Sequence, residues 1–132
     1  MGSVRPTRIL ALLSPLVVAA CASGFTVVVD NASPSEVILQ DFSDFRSAWI
    51  IPSASERRVA VPGSAGGRLA VLSTDCVLQD TISAYKNSLV HVELDFDGRV
   101  TIESGPDDGS AKAVLNADIV VGCEHWDLPS VE

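Results

Sequence analysis

The stretch Ser88–Glu103, SLVHVELDFDGRVTIE, gives the clearest indication of the fold class because it contains two alternating segments and a turn between them. In Ser88–Asp95 every second residue from Val90 onward is apolar, and Arg99–Glu103 alternates in the same way. A period of two is typical of a β-strand with one buried face. The stretch therefore predicts a β-hairpin.

The hairpin turn can be placed by comparing two registers. A two-residue turn at Asp97-Gly98 would set Leu94 opposite Thr101 and put apolar against polar residues along the whole ladder. A three-residue turn, Phe96–Gly98, sets Val92 opposite Ile102 and matches polarity at every pair. This turn needs a left-handed residue at its third position, where Gly98 stands. We predict the three-residue bulged turn.

The rest of the chain contains further short strand candidates separated by turn residues. Arg68–Ser73 is expected to pair with Arg57–Pro62 across the loop Gly63–Gly67. Thr74–Asn87 has no clear period and is expected to be an irregular crossing with one short strand, and Ser104–Ser110 is expected to be a loop. The other candidates are Phe25–Asp30, Glu36–Phe42, Ala48–Pro52 and Asp118–Glu124, the last carrying Cys123. These strands predict an all-β fold, an antiparallel β-sandwich of about seven to eight short strands.

This layout resembles immunoglobulin-like domains in outline. Those domains place a core tryptophan between two bridged cysteines. Here Trp49 precedes both Cys76 and Cys123, and Trp126 follows both.

The first twenty residues differ in character from the rest. Two arginines and no acidic residue are followed by ILALLSPLVVAA, residues 9–20, which is apolar except for one serine. A membrane-spanning helix needs about 20 apolar residues. The shorter run fits the hydrophobic region of a secretory signal peptide.

The end of that run, Val18-Ala19-Ala20-Cys21, resembles the lipobox of bacterial lipoproteins, with Val18 where leucine is more common. The resemblance implies that the thiol of Cys21 receives a diacylglyceryl group and that signal peptidase II cuts before it. The new amino terminus is acylated in some members. The alternative is an ordinary signal peptide cut at a small-residue site.

The cysteine count agrees with the lipobox. Three cysteines would leave one unpaired thiol in an exported protein. If Cys21 carries lipid, Cys76 and Cys123 remain as a pair, which an oxidising compartment would join in a disulfide. A redox or metal pair is the alternative, but the chain contains no C-x-x-C motif.

The residues before Cys21 and the residues after it differ in net charge. Two of the nine basic residues precede Cys21, which leaves seven Lys and Arg against seventeen Asp and Glu, a net charge of −10. Such an acidic domain repels phosphate backbones, and it shows no basic stripe, so we expect no nucleic-acid binding.

Few residues are candidates for a catalytic or metal-binding role. The hairpin register sets His91 opposite Glu103 on the solvent face, as an exposed polar pair. His125, beside Cys123, is a candidate metal ligand. The aspartates of two loops, which could face one end of the sandwich, are candidate calcium ligands, although their spacing matches no calcium loop: Asp95, Asp97, Asp107 and Asp108. No G-x-S-x-G motif is present, and neither histidine lies in an obvious serine or cysteine context.

The sequence thus predicts a signal peptide over residues 1–20, a lipidated tether over 21–24, a β-sandwich over 25–124 and a C-terminal tail over 125–132. We expect a non-enzymatic binding or structural domain, without cofactor or bound metal, that is lipid-anchored to the cell membrane or outer membrane outside the cytoplasm. Its partners would be the membrane and an unidentified protein or small ligand. The alternative is a small metal or ligand carrier that uses His125 or the loop aspartates.

Overall fold

The computed structural model describes residues 24–63 and 67–129 of the chain. The predicted signal peptide and Cys21, the predicted lipidation site, lie outside these residues. No stretch among the described residues forms a helix that is long and apolar enough to cross a membrane.

The described residues form two sheets of five strands, which confirms the predicted all-β sandwich. The strands are β1 Phe25–Asn31, β2 Val37–Asp41, β3 Asp44–Ile51, β4 Ser55–Val61, β5 Arg68–Ser73, β6 Leu78–Ser83, β7 Ser88–Leu94, β8 Val100–Pro106, β9 Leu115–Asn116 and β10 Asp118–Val120. The first sheet has the order β8-β7-β1-β4-β9 and the second the order β10-β3-β2-β5-β6. The described residues thus contain two strands more than the upper end of the prediction, and these two, β9 and β10, are short and lie at sheet edges.

The β7–β8 hairpin has the predicted register. Val92 lies opposite Ile102, and the amide of Asp95 donates to the carbonyl of Arg99 at 3.0 Å. Gly98 has φ 81°, in the left-handed region that the bulged turn requires. The hairpin is longer than predicted, because the expected loop at Ser104 continues β8 as far as Pro106.

The main core lies between the sheets and is formed largely by alternate apolar residues of the strands. Val27 and Val59 are paired neighbours on β1 and β4, and both are fully buried. Most strand pairs are antiparallel, but β1 runs parallel to β7 and β4 runs parallel to β9. Phe25 therefore lies at the same end of the sandwich as Ser88.

The predicted pairing of β4 with β5 is wrong. β4 pairs with β1 in the first sheet, whereas β5 lies between β2 and β6 in the second, so these two consecutive strands belong to different sheets. Alternation identifies the buried face of a strand but not its neighbour. In addition, residues 69–72 of β5 are all buried, which marks a central strand that is covered on both faces.

Two further strand bounds differ from the predictions. β3 begins at Asp44 and includes the polar residues that were expected to precede the strand. The last strand ends at Val120, so Cys123 lies beyond it. The physical reason is that the backbone of Cys123 bonds to a side chain, as described below, and not to a strand.

Candidate functional site

Cys76 and Cys123 form the predicted disulfide, with their Cα atoms 5.8 Å apart. The bridge joins the β5–β6 turn to the segment that follows β10. Further along, the amide of Asp127 donates to the carbonyl of Cys76, and the amide of Leu78 donates to the carbonyl of Asp127, both at 2.8 Å. Residues Val121–Asp127, which we call the C-terminal strap, are thus held across the outer face of the second sheet.

A buried glutamine holds the strap at its centre. The side chain of Gln40 donates to the carbonyl of Cys123 at 2.7 Å and accepts from its amide at 2.6 Å. Gln40 is 1% exposed, so both bonds are shielded from water. Under the strap, Ala70 and Leu72 form a second apolar cluster with Cys123.

The aromatic part of the strap covers the end of that cluster. The Trp126 ring meets Phe42 edge-on, with centroids 5.4 Å apart, and the guanidinium of Arg68 lies 4.4 Å from the centroid of Phe42. The sequence places Trp126 in a tail outside the domain, whereas in the structure it packs on the sheet. The contact buries apolar surface and orients no reactive group.

The loop aspartates do not come together. Asp95 and Asp97 lie in the β7–β8 turn, whereas Asp107 and Asp108 follow β8 at the other end of the sandwich. The expectation that they share one end is therefore wrong, because the seven-residue β8 spans about 23 Å between them.

These carboxylates also have local partners. Asp95 Oδ1 accepts the amides of Asp97 and Arg99, and Asp107 Oδ1 accepts the amide of Gly109. Hydrogen bonds from the hydroxyl and then the amide of Ser110 hold the pKa of the exposed Asp108 below its usual value. The four aspartates therefore stabilise the turns that contain them.

His91 lies on β7 of the first sheet, close to Glu103 and Asp108, whereas His125 lies in the strap on the second sheet. His91 is exposed opposite Glu103, in the predicted register. His125 is exposed within the strap, and its neighbour Cys123 is bridged to Cys76. Among the described residues, no group of three or more His, Cys, Asp and Glu is placed to hold a metal ion.

The candidate site is a groove of about 240 Å³ at the end of the sandwich opposite Gly24. Pro34 and Phe96, which is 75% exposed, contribute apolar surface to the groove, and the buried side chains of Val37 and Leu94 also line it. Glu36 and Asp97 give the rim a negative charge. The described residues that line the groove include no histidine or cysteine, and its apolar and acidic surface can receive an apolar or cationic group.

One wall of the groove is the turn Asn31–Ser35, which a buried asparagine holds in place. Asn31 Nδ2 donates to the carbonyl of Ser35 at 2.8 Å and to the carbonyl of Ile51 at 3.2 Å. Its Oδ1 accepts the hydroxyl of Ser33 at 2.6 Å, and the hydroxyl of Ser53 donates to the carbonyl of Ser33. A wall cross-linked in this way is preorganised for binding.

The composition of this turn, an asparagine with two serines, is typical of turns because these side chains bond the nearby backbone. Composition does not indicate that the turn lines a groove. A larger hollow of about 460 Å³ lies at the other end and is lined in part by Gly24, where the chain continues into residues outside the described part.

Comparison of the chain with protein-family models, with curated proteins and with solved structures finds no significant match. The function must therefore be argued from the chain itself.

Proposed function

We propose that the protein is a bacterial envelope lipoprotein: a β-sandwich that is lipid-anchored through Cys21 outside the cytoplasm and has a non-enzymatic binding or structural role. The observation that carries the proposal is the position of Val18-Ala19-Ala20-Cys21 directly before the domain. The first described residue is Gly24, and β1 begins at Phe25. A lipid on Cys21 would therefore hold the folded domain on a short tether.

The disulfide supports an exported location. Cys76 and Cys123 pair with each other, and disulfides persist in oxidising compartments. Their pairing leaves Cys21 as the third cysteine, which the lipobox assigns to the lipid. Two or three acyl chains bind a membrane stably, since each buried CH₂ contributes about 0.8 kcal/mol.

The groove supports a binding role. It lies at the end of the domain away from the tether, where a partner can approach. An exposed aromatic ring beside a preorganised wall is a common form of binding hot spot. The acidic rim would favour a partner that presents an apolar side chain next to a positive charge.

Metabolic labelling with an alkyne fatty acid tests the anchor. We expect the wild-type protein to carry the label and its mature amino terminus to be Cys21, whereas Cys21→Ala should carry no label. A Cys76→Ser/Cys123→Ser variant is the matched control and should keep the label, because its lipobox is intact. Label on Cys21→Ala, or a wild-type terminus at another residue, contradicts the proposal.

Photocrosslinking in living cells tests the groove. A benzophenone amino acid in place of Phe96 should give a discrete crosslinked product, while the same substitution at Thr101, an exposed position on the outer face of β8, should not. The same products at both positions, or none at Phe96, contradict a binding role for the groove.

A further inference from the structure

The turn between β6 and β7 lies beside the point where the chain enters the domain. The amide of Asn87 donates to the carbonyl of Gly24 at 2.8 Å. In the same turn, Tyr85 projects a side chain that is 88% exposed, the largest exposed fraction among the large apolar and aromatic residues of the described part. Lys86 beside it is also exposed. We call Tyr85, Lys86 and the neighbouring Pro62-Gly63 the tether-end face.

The length of the tether limits which surface of the domain can approach the bilayer. Three residues, Cys21 to Ser23, separate the lipid-bearing thiol from Gly24, so the Cα atoms of Cys21 and Gly24 are at most about 11 Å apart. The lipid headgroup layer is itself about 5–7 Å thick on each side of the membrane. By contrast, the seven-residue β1 carries the chain about 23 Å away to the groove end.

The chemistry of the tether-end face suits that position. Tyrosine, with an apolar ring and a polar hydroxyl, is enriched at the membrane–water interface, and lysine extends its charge to the headgroups. Arg68 begins β5 at the same end and is exposed. The acids at this end have local partners: Asp44 is paired with Arg46 at 3.2 Å, Asp107 accepts a hydrogen bond from Thr26, and Asp108 accepts one from the amide of Ser110.

The other end of the sandwich is the more acidic one. Its turns contain one base, Arg99, and four acids, Glu36, Asp75, Asp95 and Asp97, whereas the turns at the tether end contain one base, Lys86, and two acids, Asp107 and Asp108. Bacterial and other anionic bilayers repel such a surface within about 8–10 Å at physiological salt. Tether length, the exposed tyrosine and the charge balance all favour one orientation.

We infer that the tether-end face docks on the lipid headgroups, with Tyr85 and Lys86 in the interface, so that the domain stands upright and presents its groove away from the membrane. This inference rests on the proposed lipidation of Cys21. The partner is the bilayer surface itself and not a second protein.

Site-directed spin labelling of the lipidated full-length protein in vesicles of phosphatidylethanolamine and phosphatidylglycerol tests this orientation. Tyr85→Cys and Phe96→Cys are a matched pair, because both replace an exposed aromatic ring, at opposite ends of the domain. With Cys21 in a thioether and the other two cysteines bridged, the introduced thiol is the one that reacts. We expect the label at position 85 to collide with an aqueous nickel chelate several-fold less often than the label at position 96.

A second pair of variants tests the charge contribution. Lys86→Glu should raise the nickel accessibility of the label at position 85, whereas Arg99→Glu, at the groove end, should leave it unchanged. Equal accessibility of the two labels in protein that floats with the vesicles overturns the docked orientation, as does stronger protection at position 96. Protein that fails to float refutes the anchor instead, so the two failures are distinguishable.

Discussion

The bond between Gln40 and Cys123 allows a quantitative prediction about what holds the C-terminal strap. Replacing Gln40 by methionine keeps the length of the side chain and removes both hydrogen bonds, at 2.7 and 2.6 Å. The disulfide would still hold Cys123, which is 4% exposed, in a site that water does not reach.

The expected loss of stability follows from the amide and the carbonyl of Cys123, which would be left without hydrogen-bond partners. A buried amide or carbonyl that loses its hydrogen bond costs about 1–3 kcal/mol. Two such groups on Cys123, partly offset by the apolar methionine, predict that Gln40→Met lowers the free energy of unfolding by about 2–4 kcal/mol. In urea this corresponds to a midpoint lower by about 1–2 M.

Gln79→Met is the matched control. Gln79 makes the same kind of bond, from its side-chain nitrogen to the carbonyl of Val77, but in an exposed position on β6. Its substitution should change stability by less than about 0.5 kcal/mol. Urea titrations followed by tryptophan fluorescence report on both parts of the structure, since Trp126 lies in the strap and Trp49 in the sheet below. Equal midpoints for the two variants would refute the argument that this bond holds the strap.

Three further predictions concern the strap, the disulfide and one carboxyl group. Gly122→Ala should destabilise the fold by about 1–3 kcal/mol in thermal melts, because its Cβ would overlap a buried amide oxygen, while Gly105→Ala, with open space around it, should be neutral. Replacing Cys76 and Cys123 by alanine removes a bridge of sequence separation 47 and should cost about 4 kcal/mol in denaturant titrations, and a loss under about 1 kcal/mol would contradict this. The carboxyl of Asp108 should titrate in NMR with a pKa below 3.8, the ordinary value for an aspartate, because a nearby serine bonds its charged form. Its stabilising contribution is then present above pH 3.8 and lost as the pH falls through the lowered pKa, and a midpoint at or above 3.8 would count against it.

The β7–β8 hairpin shows which kind of information the sequence contains. Its register follows from matching the polarity of neighbouring positions and from a glycine at the left-handed position of the turn, all within Ser88–Glu103. The inward faces of β1 and β4 follow in the same way from alternation. The disulfide follows from a count of three cysteines, once Cys21 is set aside for lipid.

Only part of the candidate site can be predicted from such local sequence patterns. The turn at Asn31 is recognisable as a turn, but its bonds reach Ile51 and Pro52, twenty residues further along the chain. The groove exists because this turn meets the β7–β8 hairpin, and their meeting depends on the parallel pairing of β1 with β7. No local pattern specifies that pairing.

The local sequence was sufficient to predict the strand-rich class, the buried faces of β1, β4, β7 and β8, the hairpin register and the pairing of Cys76 with Cys123. The tertiary structure alone decided that β4 and β5 lie in different sheets, that the two aspartate loops face opposite ends, and that Gln40 binds the backbone of Cys123 across 83 residues. The physical reason is that alternation is a local property, set by which side of a strand meets water. The neighbour of a strand is instead selected by the packing of the whole core, in which distant segments compete for the same edges.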